Sequence, residues 1–121
     1  MANEINMSAT LTSSKSGLTI TGYGQKYVDQ AGSEMIASIQ NIGTNTEAIA
    51  IGDITNIGKL FVKNLSETDN ILLGLNTPVV AGDAFATLLP GEFCMVPTRQ
   101  EVIYGIGAGT GCLCEVVAIS V

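Results

Sequence analysis

Short apolar runs separated by turn residues are the feature that most constrains the fold of this chain. Stretches rich in Val, Ile, Leu, Phe and Thr recur along its 121 residues, and Gly, Asn, Asp, Ser or Pro stands between them. Strand-length runs that repeat every 8–12 residues or so are typical of all-β domains. No window of a dozen residues carries the apolar stripe of an amphipathic helix. The pattern therefore predicts an all-β fold, either a sandwich or a closed barrel.

The runs predict ten strands in a single domain. The domain is expected to have an N-terminal arm or hairpin region at 1–33 and a β-sandwich core at 34–121. Within the arm, residues 22–33 are expected to form a long loop. Asp53 is an acceptable N-cap, so residues 53–58 are expected to form one helical turn. The predicted strands are 4–11, 18–22, 34–41, 46–51, 59–64, 70–76, 84–88, 92–96, 102–106 and 112–120.

Two of the predicted strands differ in how apolar residues are divided between their faces. In 59–64, Leu60 and Val62 share one side, which predicts one core face and one outer face. In 112–120 both sides are largely apolar, so this strand is predicted to be buried on both faces, at the centre of a sheet or under another subunit. The outer side of 59–64 carries Lys59, Phe61 and Lys63. One side of 112–120 carries Leu113, Val117 and Ile119, and its other side carries Cys112, Cys114, Val116 and Ala118.

Glycine occupies every second position at 105, 107, 109 and 111. A phosphate-binding loop leads into a helix, whereas Gly111 leads into a β-branched run, and the G-x-x-x-x-G-K pattern is absent. The segment is therefore interpreted as a hairpin of strands 102–106 and 112–120 with a flexible tip at 107–111. Gly105 and Gly107 leave one face without side chains, so that another backbone can approach closely.

The charge of the chain narrows its possible partners. Only 13% of its residues are charged, about half of the usual share of roughly 25%. A surface so poor in charge is commonly covered by a partner. The net charge is −6, and the scattered basic residues form no stripe that would bind nucleic acid. No signal peptide or membrane-spanning run is present, so a cytoplasmic origin is expected. The basic residues are Lys15, Lys26, Lys59, Lys63 and Arg99.

The three cysteines are interpreted as core residues. Cys94, Cys112 and Cys114 could supply three thiolates, but structural zinc takes four Cys or His ligands and the sequence has no His. Small apolar filling is the favoured role, ahead of a metal site or a disulfide. A Ser or Cys nucleophile would also lack its usual base. No catalytic, cofactor-binding or metal-binding residue is predicted, and the chain is not expected to be an enzyme.

Acidic residues are interpreted through their turn contexts. Glu67, Asp69, Asp83 and Glu92 stand among turn residues, where solvated turn chemistry accounts for them. A pair of catalytic carboxylates and a calcium site at 66–70 remain less favoured alternatives. With no Trp, three Tyr and three Phe, the chain offers only a weak aromatic platform for binding sugars.

Five features follow one another along the chain: a lead-in at 42–54, an apolar strand ending in Lys63-Asn64-Leu65, "NILLGL" at 70–75, "LLPGEFCMVP" at 88–97 and "YGIGAGTG" at 104–111. By these features the segment 52–109 resembles a group of small virion proteins of tailed bacteriophages. The resemblance implies a structural protein with a jelly-roll-like antiparallel β-sandwich, located on the capsid or elsewhere in the particle. It implies no catalytic residues and no cofactor.

These observations lead to a functional hypothesis. The chain is expected to be a structural virion protein, most simply a decoration or accessory subunit of the head, assembled in the host cytoplasm. Its expected partners are the major capsid protein, other virion proteins and further copies of itself, with a trimer favoured by the resemblance; no nucleic-acid or membrane partner is expected. The alternatives are a tail or adsorption component, and a β-sandwich module that binds carbohydrate or an ion.

Overall fold

In the residues that the computed structural model describes, the chain contains only β-strands and the segments between them. Those residues are 4–15, 17–28, 30, 34–52, 54, 57–98, 102–109 and 111–120, without the side chains of residues 15, 18 and 20. Every strand pairing among them is antiparallel. The expected all-β, antiparallel class is confirmed. The chain divides into two compact units, Met1–Ala31 and Gly32–Val121.

The first unit is a long hairpin. Strands β1 (Ile5–Lys15) and β2 (Leu18–Val28) pair along their whole length, with Ile5 opposite Val28. Gly17 turns the chain with a φ of 80°, in the left-handed region that favours glycine. The expectation of a loop over 22–33 is wrong for residues 22–28. They continue β2 because β1 offers a hydrogen-bonding edge beside every one of them.

The second unit has eight described strands, and each overlaps one of the predicted strands. The bounds of 112–120 are as predicted. The expected helical turn at 53–58 is wrong at Ile57 and Gly58, which begin β5, and residues 53, 55 and 56 lie outside the described part. The strands are β3 (Met35–Ile42), β4 (Glu47–Ala48), β5 (Ile57–Asn64), β6 (Ile71–Gly74), β7 (Ala86–Leu88), β8 (Phe93–Pro97), β9 (Tyr104–Gly107) and β10 (Cys112–Ser120).

These eight strands form two four-stranded sheets. Sheet I has the order β3-β10-β5-β8, and sheet II has the order β4-β9-β6-β7. Buried side chains from both sheets form one cluster. In β5, Leu60 and Val62 are buried in this cluster. The residues that alternate with them, Lys59, Phe61 and Lys63, are only half-buried. The predicted division of this strand into a core face and an outer face is therefore confirmed.

Gly107 marks the place where the chain passes from one sheet to the other. Its backbone N–H donates to the carbonyl oxygen of Gly43 at 2.8 Å, and a Cβ here would lie 2.8 Å from the carbonyl oxygen of Ile42. The predicted close approach of another backbone is confirmed at Gly107 but not at Gly105, where a Cβ would meet the side chains of Ile49, Leu73 and Ile42. The predicted hairpin of 102–106 with 112–120 is wrong, because β9 pairs with β4 and β6 in sheet II while β10 lies in sheet I.

Asn64, at the end of β5, joins two loops to the core. Its fully buried side-chain amide donates to the carbonyl oxygens of Asp69 at 2.8 Å and Leu88 at 2.9 Å, and its Oδ1 accepts from the N–H of Ser66 at 2.9 Å. A buried amide with three partners holds the 65–70 turn against the end of β7. Replacing it would leave these backbone groups buried without partners.

We expect Asn64→Ala to lower the free energy of unfolding by about 3 kcal/mol, since three hydrogen bonds are lost and two carbonyl groups lose a donor. Denaturant unfolding measures the change. The matched control is Asn41→Ala on the exposed side of β3, which should change stability by less than about 0.5 kcal/mol. Equal effects of the two substitutions would contradict the role assigned to Asn64.

Gly107→Ala is expected to destabilise the fold by about 2 kcal/mol or more, because the new methyl group meets a backbone carbonyl that has little freedom to move. The control is Gly111→Ala, where no atom lies within 4 Å of the added Cβ. A substitution at Gly109, in the predicted tip at 107–111, is not a suitable control because a Cβ there would meet the carboxylate of Asp69. Thermal melting that ranks Gly111→Ala as the more harmful change would refute this account.

Candidate functional site

Sheet I has one face packed in the core and one face open to solvent. Of the two predicted positions of β10, the structure shows the one at the centre of a sheet, between β3 and β5. This chain by itself does not bury both faces of the strand, since Leu113 is 45% exposed. Sheet II covers the side that carries Cys112, Cys114 and Val116, and the opposite side is left uncovered within the described part of this unit.

We name this uncovered side the open face. The strand registers place its residues in rows that cross the four strands, because directly opposed residues of antiparallel strands share a face. Ten of its fourteen residues are apolar. In the order β3-β10-β5-β8, the rows are Met35, Ile119, Lys59 and Pro97; Ala37, Val117, Phe61 and Met95; Ile39, Glu115, Lys63 and Phe93; and, on β3 and β10 alone, Asn41 and Leu113.

Three large apolar side chains of the open face are mostly exposed. Met35 is 70% exposed, Ile39 is 65% exposed and Phe93 is 61% exposed. The rings of Phe61 and Phe93 stack with their centroids 5.8 Å apart. Four strands about 4.8 Å apart and about seven residues long span roughly 450 Å². Apolar patches of this size on a folded domain are often functional.

The cysteines lie on the opposite side of sheet I. Cys112 and Cys114 are fully buried in the core cluster, Cys94 is half-buried beside it, and all three are free thiols. Burial raises the pKa of Cys94. Burial also raises the pKa of Cys114, to about 11; a backbone hydrogen bond from Gln40 opposes this rise, and coulombic interactions with Glu47 and Cys112 add to it. The Cys94 and Cys114 thiols are protonated at neutral pH, and all three cysteines fill space in the core.

Glu92 has the local turn role that its sequence context predicts. The carboxylate of Glu92 accepts a hydrogen bond from the N–H of Leu89 at 2.9 Å and closes the 89–92 turn. The carboxylate of Asp69 lies against Gly109. Among the described residues, the structure brings no three His, Cys, Asp or Glu side chains together in a way that could hold a metal ion.

Described residues of the second unit line two open clefts, among others. One, of about 260 Å³, lies over sheet II beside Leu72, Thr87 and Ile106. The other, of about 270 Å³, is lined by Leu75, Phe85, Val96, Pro97, Thr98 and Ile103. Neither set of described lining residues carries a carboxylate, a thiol or an amine. Their chemistry is that of a shallow apolar depression.

The hairpin of the first unit has one face composed wholly of hydroxyl and amide side chains. Tyr23 donates to Gln25 at 2.7 Å, and Gln25 donates to Tyr27 at 3.0 Å. On the other face, Leu11 is 80% exposed. The polar face consists of Asn6, Ser8, Thr10, Thr12 and Ser14 on β1 and Thr19, Thr21, Tyr23, Gln25 and Tyr27 on β2.

Sequence reasoning identified only part of the open face. It placed Lys59, Phe61 and Lys63 on an outer side and noted the second apolar side of 112–120. It did not identify the contributions of β3 and β8. The alternation of Met35 and Ile39 with Ile36 was visible in the sequence, but both sides of that strand are partly apolar, so the outer side could not be told from the core side.

Comparisons of the chain with family models, curated proteins and solved structures found no match. In the described part of the chain, no helix is long and apolar enough to cross a membrane.

The raised pKa of Cys114 predicts a loss of stability at high pH. The folded state holds this thiol neutral from its ordinary pKa of 9.0 up to about 11, so its stabilising contribution is present below pH 9 and is lost as the pH rises through 11. Denaturant unfolding should show a smaller decline over this range in Cys114→Ala than in the wild type. All other groups are shared by the two proteins, so their contributions cancel in the comparison. Parallel pH profiles would contradict the prediction.

Proposed function

We propose that this chain is a structural subunit of a tailed bacteriophage virion, placed on the head as a decoration or accessory protein. It acts by packing against other protein chains, is assembled into particles in the host cytoplasm, and carries out no reaction. The observation that carries the proposal is the open face of sheet I. An apolar sheet surface of this size is stabilised when another chain removes it from water.

The strand order of the second unit supports a jelly-roll sandwich, the architecture implied by the resemblance to virion proteins. The pairs β3 with β10, β4 with β9, β5 with β8 and β6 with β7 are all hydrogen-bonded neighbours. A long hairpin of four such pairs, wrapped around itself, places its eight strands in two sheets of four. The orders β3-β10-β5-β8 and β4-β9-β6-β7 are those of such a wrapped hairpin. Viral capsid domains commonly use this architecture.

The long hairpin of the first unit supports the same proposal. A two-stranded hairpin is marginally stable in water by itself and is stabilised by packing or by further strands. Leu11 lies exposed on one face, and each of the two strands has an outer edge eleven residues long. Such a hairpin is suited to contact a neighbouring protein in a particle.

One observation favours the alternative of an adsorption or carbohydrate-binding component. Tyr23, Gln25 and Tyr27 form a hydrogen-bonded row on the exposed polar face of the hairpin. Exposed tyrosines beside an amide are a common means of binding sugars, because rings stack on sugar faces while amides bond hydroxyl groups. On this alternative the protein would be sparse in particles and would bind host glycans.

The open face should be needed for incorporation into particles. We expect the double variant Met35→Asp/Ile39→Asp to lower occupancy at least tenfold when added to particles that lack the protein, because two carboxylates would be desolvated at the contact. Both sites are exposed, so thermal stability should change little. The matched control is Val80→Asp, at an exposed apolar residue outside the open face.

Quantitative mass spectrometry of purified virions measures the occupancy and separates the candidate functions. A copy number comparable to that of the major capsid protein is expected for a decoration subunit. A few copies per particle, together with glycan binding, would favour the adsorption alternative. Absence of the chain from particles would overturn the proposal.

A further inference from the structure

We propose that a second copy of this chain covers the open face, related to the first by a two-fold axis that runs parallel to the strands between β10 and β5. The inference rests on the proposed function, that the chain acts by packing against other chains, and it names the partner of the open face. Two sheets stacked face to face pack about 10 Å apart with their strands nearly aligned. The axis places β10 of one copy over β5 of the other, and β3 over β8.

Two of the three charges of the open face, Glu115 and Lys63, are self-complementary about this axis, whereas Lys59 faces Ile119 of the second copy. Glu115 on β10 and Lys63 on β5 lie in the same row, on either side of the axis. Glu115 of each copy therefore faces Lys63 of the other copy, so that this contact is made twice. The four charges alternate in sign, and together these two long side chains can bridge a gap of about 10 Å. Opposite charges across an interface fix its register and disfavour other arrangements.

The shapes of the next row agree with the same axis. Val117 and Phe61 are neighbours across the strands, so each Val117 faces a Phe61 of the second copy. Ala37 and Met95 end this row and also face each other across the interface. Small residues opposed by large ones allow two layers to interdigitate.

The other simple two-fold arrangement is less favourable. An axis that crosses the strands along the row of Val117 and Phe61 exchanges the rows above and below it. Lys63 would then oppose Lys59 of the second copy, and Glu115 would oppose Ile119. Like charges opposed at an interface weaken binding and disfavour that arrangement. The charge pattern therefore selects the axis parallel to the strands.

The size of the face indicates the strength of the contact. Two faces of roughly 450 Å² bury about 900 Å² in total, near the lower limit for a specific interface of about 1,000 Å². Such a pair forms reversibly and weakly, with dissociation expected at micromolar or higher concentration. The local concentration on an assembled particle would favour the pair.

The test uses the full chain with single charge reversals at the two central positions. In Glu115→Lys, four positive charges meet at the axis; in Lys63→Glu, four negative charges meet there. We expect each variant alone to self-associate at least tenfold more weakly than the wild type in sedimentation equilibrium. Lys26→Glu on the exposed hairpin is the control and should associate as the wild type does. Glu115 and Lys63 lie opposite each other on neighbouring strands of one chain, so each single reversal also places like charges side by side within its own fold.

An equimolar mixture of the two variants separates the interface from this internal effect. In a mixed pair, one copy carries positive charges at both central positions and the other copy carries negative charges at both. Opposite charges are therefore restored at both contacts across the axis. We expect the mixture to associate within about threefold of the wild type, although mixing cannot repair either fold. The double variant Glu115→Lys/Lys63→Glu should likewise associate with itself.

Several results would overturn the inference. The inference is wrong if the wild-type protein stays monomeric up to millimolar concentration. It is also wrong if native mass spectrometry shows a trimer, the state favoured by the resemblance to virion proteins. Variants that fail to associate when mixed, while the wild type associates, would also overturn it. Occupancy on particles is measured separately: a monomer that occupies particles refutes only the two-fold contact, and a self-associating protein that is absent from particles refutes the proposed function.

Discussion

The rest of the second unit depends on the packing of β10 between β3 and β5 with its small side chains against sheet II. Cys114, Val116 and Ala118 are fully buried there, and their small size lets two hydrogen-bonded neighbours and a second sheet approach the same strand. Sheet II is the only layer supplied to this strand by the described residues of the unit. One face of sheet I is therefore buried, and the other remains a surface.

Two residues, Asn64 and Gly107, make this packing possible at points where the chain leaves a strand. The buried Asn64 amide donates hydrogen bonds to backbone carbonyl oxygens in the loop after β5 and at the end of β7. Gly107 lets β9 end against the backbone of β3. Both residues act through backbone groups that would otherwise be buried without partners. The chain can thus pass between sheets at these two points with its polar groups paired.

The features of this molecule that are suited to binding are its exposed surfaces more than its titratable side chains. The thiols of Cys94 and Cys114 are held neutral by burial, and Glu92 closes its own turn. The open face combines ten apolar residues with a central Glu115–Lys63 pair, and the hairpin presents a continuous polar face. Surfaces of this kind recognise other macromolecules by shape and by the placement of a few charges.

The sequence by itself determined which segments are strands and, where one side was clearly apolar, which side faces the core. The bounds of β10 and the inward side of β5 follow from the alternation of residues, which is a local property of an extended chain. Residues 22–28 were an exception, because Gly22 and Gly24 obscure the alternation and only pairing with β1 holds that strand.

The tertiary structure alone decided which strands become neighbours and which apolar side stays uncovered. Residues 102–106 and 112–120 follow one another in sequence, yet they pair with different strands in different sheets. Alternation carries no information about a partner that is distant in sequence, and the identity of that partner depends on which hydrogen-bonding edges the rest of the chain leaves available. For the same reason the sequence predicted two apolar sides for β10, and only the arrangement of the two sheets made one of them the core and the other the open face.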